Sequence, residues 1–242
     1  MEITEVSLIG FICGFLLIPV SSRLLKSFGW ETPFRFSNMF HIIRFPKRKD
    51  SPKYALFRLL LGKMMFCCCI YGIIFALFFS FLFSYMPPIQ ASLTAAMLVV
   101  VALSGLMDLR IWILPDFFTI PLIISGLAAT YYFQPLTNME DSITGCIFGY
   151  ILPLVIALIL QRKHENPIGG GDVKMMAGLG AWLGFTWLNV VLVVSFVTFA
   201  LFAVMRKSTV CPYGPPLTLA ALITVAAQVF VNSTGFELLP LN

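Results

Sequence analysis

Long apolar runs alternate with short polar breaks along the whole chain. Leu, Ile, Val and Phe dominate at about 3–20, 64–86, 92–107, 118–134, 143–161, 175–187, 188–205 and 215–232. A helix needs about 17 to 25 mostly apolar residues to cross a bilayer, so the pattern predicts eight such helices. The 175–187 run is the weakest of them, being short and interrupted by glycines. The runs are too long and too continuous for the alternating strands of a membrane barrel, and irregular backbone in lipid leaves polar groups unpaired. The expected class is all-α: a polytopic membrane protein of about eight transmembrane helices.

Composition agrees with that expectation. Of 242 residues, 59% are hydrophobic and only 11% charged, against about 25% charged in soluble domains. Mean hydropathy is +0.93. The first run, "VSLIGFICGFLLIPV", follows Glu2 and Glu5 rather than a positive stretch, and no small-residue cleavage site follows it. It is expected to be a retained span and not a leader.

Charge sets the expected orientation. Ten of the sixteen Lys and Arg fall between Arg23 and Lys63; the others are Arg110, Arg162, Lys163, Lys174, Arg206 and Lys207. With the N-terminus outside and eight crossings, the segments 21–63, 109–117, 162–174 and 206–214 all face the cytoplasm, carrying every basic residue. Glu2, Glu5, Glu140, Asp141 and Glu237 fall on the outer side. This bias accounts for the net charge of +5 without nucleic acid as a partner. The chain is expected to divide into residues 1–63, a first helix plus a basic loop, and 64–242, a membrane core. Aromatic and basic residues alternate in the loop, as suits an anionic membrane surface or a substrate contact.

No metal site is expected. The cysteines (Cys13, Cys67, Cys68, Cys69, Cys146 and Cys211) form no C-x-x-C pair, so no tetrahedral set is completed. His41 and His164 have no neighbour with triad spacing.

Acids at span ends carry the chemistry. Carboxylates at membrane depth are costly and point to function. Asp108 ends the third run and Asp172 begins the sixth, so the charge-based topology brings both to the cytoplasmic end of different helices. One carboxylate can act as base on a water while the other, as acid, protonates a scissile carbonyl, with one proton held between them. Gly169, Gly170 and Gly171, having no Cβ, leave room for an extended peptide beside Asp172. Those glycines and Lys174 are the candidate substrate-binding positions. Spacing alone equally allows Asp172 to be a helix N-cap. Asp116 follows Leu114-Pro115 and opens the next run, so an N-cap role is expected for it. Glu165 reads as a solvated loop acid. Arg110 and Lys174 also suit snorkelling or pairing with acids.

Four passages resemble the type IV prepilin leader peptidases, aspartic membrane peptidases with a G-x-G-D signature. They are "MDLRIWILPDFFTIPLII", "ITGCIFGYILPLVIALIL", "IGGGDVKMMAGLGAWLGF" and "CPYGPPLTLAALI". The resemblance implies that Asp108 and Asp172 are the catalytic pair. It implies a prepilin or pseudopilin substrate, cleaved at the cytoplasmic face of a bacterial inner membrane without a cofactor. Related alternatives are another G-x-G-D intramembrane protease, which would carry Tyr where Met107 stands, and an ion- or proton-coupled transporter, which would show a repeated half. No internal repeat is present.

The first third departs from the family pattern. The 21–63 loop has no cysteine, where many members carry two C-x-x-C pairs. Phe15 and Ile18 stand where the family has Ser and Asn, and Arg58 stands where it has Glu. The family uses this region to methylate the new N-terminus with S-adenosylmethionine. Replacing an acid by Arg inverts the local charge, so chemistry that depends on the acid is not expected to survive unaltered.

Overall fold

The computed structural model describes residues 3–27, 52–160, 169–206 and 211–234. The expectations for His41, His164, Glu165, Glu237 and most of the basic loop lie outside these residues, as does that for the side chain of Arg58. The described residues form seven helices: α1 (Ile3–Ser27), α2 (Pro52–Tyr85), α3 (Pro88–Ile111), α4 (Asp116–Phe133), α5 (Met139–Leu160), α6 (Gly170–Arg206) and α7 (Gly214–Thr234). All seven are long and apolar enough to cross a membrane. The protein is an all-helical, polytopic membrane protein.

The chain divides into two compact units, Met1–Phe81 and Leu82–Asn242. In the first, α1 and α2 pack closely where α1 carries glycine. A Cβ at Gly10 would come within 2.7 Å of the Phe75 carbonyl oxygen. The hydroxyls of Ser7 and Ser80 also meet, at 2.6 Å. Small residues and hydroxyl pairs are what bring helices together in lipid, where apolar surface alone gives no net drive.

The second unit holds α3 to α7. Asn138 caps α5: its Oδ1 accepts the Asp141 backbone N–H at 2.9 Å, the arrangement that satisfies an orphan donor of the first turn. Glycine spacing then lets α5 lie against α6. Cβ atoms at Gly145 and Gly149 would sit 2.5 and 2.6 Å from the carbonyl oxygens of Gly180 and Met176. Trp182 Nε1 donates to the Leu122 carbonyl on α4 at 3.0 Å. Buried Ser142 donates to the Ala181 carbonyl at 2.5 Å.

Seven helices account for the eight predicted runs, and α6 supplies the reason. Its 37 residues would make a rod of roughly 55 Å, against about 30 Å of hydrocarbon. The rod is broken at Gly184, whose φ of 82° and ψ of 170° are not helical. Residues 170–183 run from the Asp172 end to Gly184, which abuts Asp141 at the start of α5. Residues 185–206 then return. Ser195 meets Tyr213 at 2.6 Å, and Thr198 donates to the Pro216 carbonyl at 3.2 Å, both at the opposite end of the unit from Asp141. The expected spans 175–187 and 188–205 are thus the two limbs of one element, joined through a single residue with no polar loop between them.

Only glycine adopts this φ without strain, and a Cβ at Gly184 would also collide with Asp141 and Thr137. Gly184→Ala should therefore destabilise the protein by about 1–3 kcal/mol or more, measured by denaturant unfolding in detergent. Gly170→Ala, where an added Cβ meets nothing within 4 Å, should stay within about 0.5 kcal/mol of the parent. Equal behaviour of the two variants would contradict the hinge.

Candidate active site

Asp108 lies in the last turn of α3. The helix stops directly after it: Trp112 takes left-handed φ and ψ of 59° and 26° and returns its N–H to the Asp108 carbonyl. The Asp108 side chain is buried. Its Oδ2 accepts the backbone N–H of Gly214 at 2.7 Å, a charge-assisted bond from the first residue of α7. Gly214 leaves no alternative placement, since a Cβ there would lie 2.7 Å from Asp108 Cβ.

Asp172 enters from α6. Gly169 supplies the carbonyl that opens the helix, accepting the Asp172 N–H at 3.0 Å. Asp172 is therefore in the first turn and not the N-cap, although the helix start still favours negative charge there. Its Oδ1 is buried and has no hydrogen-bond partner. Its carboxylate lies close enough to Asp108 and to Tyr213 to act on both electrostatically. These two acids, from separate helices, thus lie at one end of the second unit.

Asp116 does not cap α4, a correction to the sequence expectation. Pro115 occupies the N-cap position with no side-chain bond, because Asp116 turns instead to Lys174, with Nζ and Oδ1 2.6 Å apart. Both side chains are partly exposed, at 32% for Lys174 and 58% for Asp116, so the pair contributes little to stability. It does tie the start of α4 to the start of α6, one turn from Asp172. Leu114 completes this tie: its Cβ would be 2.6 Å from a Cβ on Gly171.

The three signature glycines consequently differ in role. Gly171 is filled by Leu114, whereas Gly169 and Gly170 are exposed; a Cβ on Gly169 would lie 3.1 Å from Asp172 Oδ2, and one on Gly170 would meet open space.

Sequence reasoning missed Tyr213 and Gly214. The "CPYGPP" passage marked them only as part of a resemblance. Tyr213 is hydrogen-bonded to buried Ser195 and packs against Phe199 with ring centroids 5.6 Å apart. Burial pushes its phenol above the ordinary range; the Ser195 bond opposes this and the Asp172 charge adds to it. Tyr213 is therefore an uncharged hydroxyl at neutral pH. No group of three or more His, Cys, Asp or Glu that could hold a metal occurs among the described residues.

Comparison with known proteins locates this geometry. Residues 95–204 match the model of the Type IV leader peptidase family. A "Type 4 prepilin-like proteins leader peptide-processing enzyme" of Escherichia coli O78:H11 is 30% identical over 131 residues, covering 52% of this chain and 48% of that protein. A "Prepilin leader peptidase/N-methyltransferase" of Aeromonas salmonicida is 35% identical over 138 residues, covering 52% and 46%. One of the same name from Pseudomonas aeruginosa is 29% identical over 146 residues, covering 55% and 50%. The aligned part thus spans about half the length of these relatives. No solved structure gave a significant match. Through residues 95–204, which include Asp108, Asp116, Asp172 and Lys174, this chain is similar to the type IV leader peptidase family.

Proposed function

We propose that this chain is a membrane aspartic endopeptidase that removes the leader of type IV prepilins or pseudopilins at the cytoplasmic face of a bacterial inner membrane. The observation that carries this reading is the meeting of two carboxylates from separate helices, Asp108 held by Gly214 and Asp172 with a buried, unpartnered oxygen. The peptidase core lies within residues 64–242, and the lipid bilayer is its solvent.

The chemistry follows from one proton shared by two acids. The ionised carboxylate takes a proton from water as the water oxygen attacks the scissile carbonyl carbon. The protonated partner gives its proton to the carbonyl oxygen, forming a neutral gem-diol. Collapse returns the hydroxyl proton to a carboxylate, while the leaving nitrogen takes the other proton and the C–N bond breaks. Proteolysis by this route needs no cofactor. Gly169 and Gly170 admit the extended leader beside Asp172. Gly171 and Lys174 contribute at one remove, by fixing the start of α6 through Leu114 and Asp116.

Gly214 positions Asp108 without touching substrate. We further propose that this chain does not methylate the trimmed product, because Arg58 stands where the family pattern has an acid.

Co-expression with a candidate prepilin, followed by N-terminal analysis of the product, tests the peptidase reading. The parent should yield a product trimmed at the leader junction. Asp108→Asn and Asp172→Asn should each lower the rate by about 10³-fold or more; normal cleavage by either variant would remove that residue from the mechanism.

Gly214→Ala should lower kcat by about 10²-fold through displacement of Asp108, with KM little changed. A rise in KM alone would assign Gly214 to substrate binding instead.

With labelled S-adenosylmethionine and trimmed product, the purified chain should transfer no label. Transfer would show that Arg58 does not block the methylation chemistry.

A further inference from the structure

At the end of the second unit opposite the two aspartates lies a cavity of about 530 Å³. Gln90, Asn138, Asp141, Thr186, Gln228 and Asn232 are among the residues that line it. The volume is far more than a bare ion needs and falls in the range of small-molecule sites. No Lys or Arg lines it, and Asp141 is its one carboxylate among the described residues.

Gln228 gives the cavity a chemical demand. The residue is 1% exposed. Its Nε2 donates to the Leu136 carbonyl at 3.0 Å and to the Leu183 carbonyl at 3.3 Å. Turning the amide over would set an oxygen against two carbonyl oxygens, so this orientation is fixed. Oε1 is then left buried without a hydrogen-bond partner, a state that costs free energy until a donor arrives. Asp141 lines the same cavity: Thr137 Oγ1 donates to Asp141 Oδ2 at 3.0 Å, and the carboxylate rests against Gly184. A buried acceptor and a carboxylate, with no cation among the lining residues, call for a positively charged group that also donates hydrogen bonds.

We propose that this cavity binds an alkylammonium group bearing N–H donors, with Asp141 as its charge partner and Gln228 Oε1 as an acceptor. A quaternary ammonium has the charge but no N–H, and leaves Gln228 unsatisfied. The ammonium can come from a free amine or from an ethanolamine lipid headgroup. The site is separate from the aspartate pair, so binding does not require peptidase activity.

Ethanolamine and choline distinguish the chemistry. In the purified full chain in detergent, ethanolamine should raise the unfolding midpoint saturably by about 2–4 °C, and choline should not. Nanodiscs of phosphatidylethanolamine, compared with phosphatidylcholine, give the lipid arm. A rise there identifies the headgroup as the source, and a rise with free ethanolamine alone identifies a free amine.

Asp141→Asn should weaken binding at least ten-fold. Asn232→Arg, at an exposed rim position, should abolish the shift while leaving the unliganded midpoint in place. Asp172→Asn should keep the shift, which separates this result from the peptidase reading. Three outcomes would overturn the proposal: equal shifts with ethanolamine and choline, no shift in either arm, or a shift that survives in both Asp141→Asn and Asn232→Arg.

Discussion

The reversal of α6 at Gly184 is the constraint on which the second unit rests. Because the chain turns back through one residue, both limbs of α6 reach the same end of the bundle. The outgoing limb starts with Asp172. The returning limb brings Ser195 to Tyr213, and the next residue, Gly214, donates its N–H to Asp108. One turn thus links the two aspartates mechanically, although 64 positions separate them in the chain. A polar loop at Gly184 would have met the same need, but here the space is taken by Asp141 and Thr137.

Close backbone approach supports this arrangement throughout. In lipid, apolar area does not draw helices together, so they associate through contact and hydrogen bonding. Gly145, Gly149 and Gly180 let α5 lie on the outgoing limb. Buried Ser142 and Trp182 then donate across the helix contacts to the carbonyls of Ala181 and Leu122. The same logic fixes the aspartates. Gly214 brings its N–H onto Asp108, and Gly171 brings α6 against Leu114. Apart from the Asp116–Lys174 pair, packing and single hydrogen bonds do the positioning, which suits groups that must exchange protons with a substrate.

Much of this is legible in the sequence. Apolar run length sets the class, and the confinement of basic residues to alternate loops puts Asp108 and Asp172 at one membrane depth. The eighth crossing is also visible, as two short runs, 175–187 and 188–205. The absence of a loop between them is not, because a Gly between Leu183 and Phe185 carries no mark of positive φ. The expected cap at Asp116 fails for a related reason. Local sequence places the helix start to within one residue, but Lys174 lies 58 positions away and takes its carboxylate. Gly214 is hidden because its function is a main-chain N–H, which any residue but proline would offer. Only the crowding of Asp108 against its missing Cβ makes glycine necessary there.

The central claim is that Asp108 and Asp172 face one another across a single site. In a background lacking the six native cysteines, Asp108→Cys combined with Asp172→Cys can be treated in membranes with a short bifunctional thiol reagent. The account predicts an intramolecular cross-link joining the two positions, identified by mass spectrometry of the digested chain, and none when either cysteine is moved to the Gly184 end. Two cysteines that are each modified but never joined would contradict it.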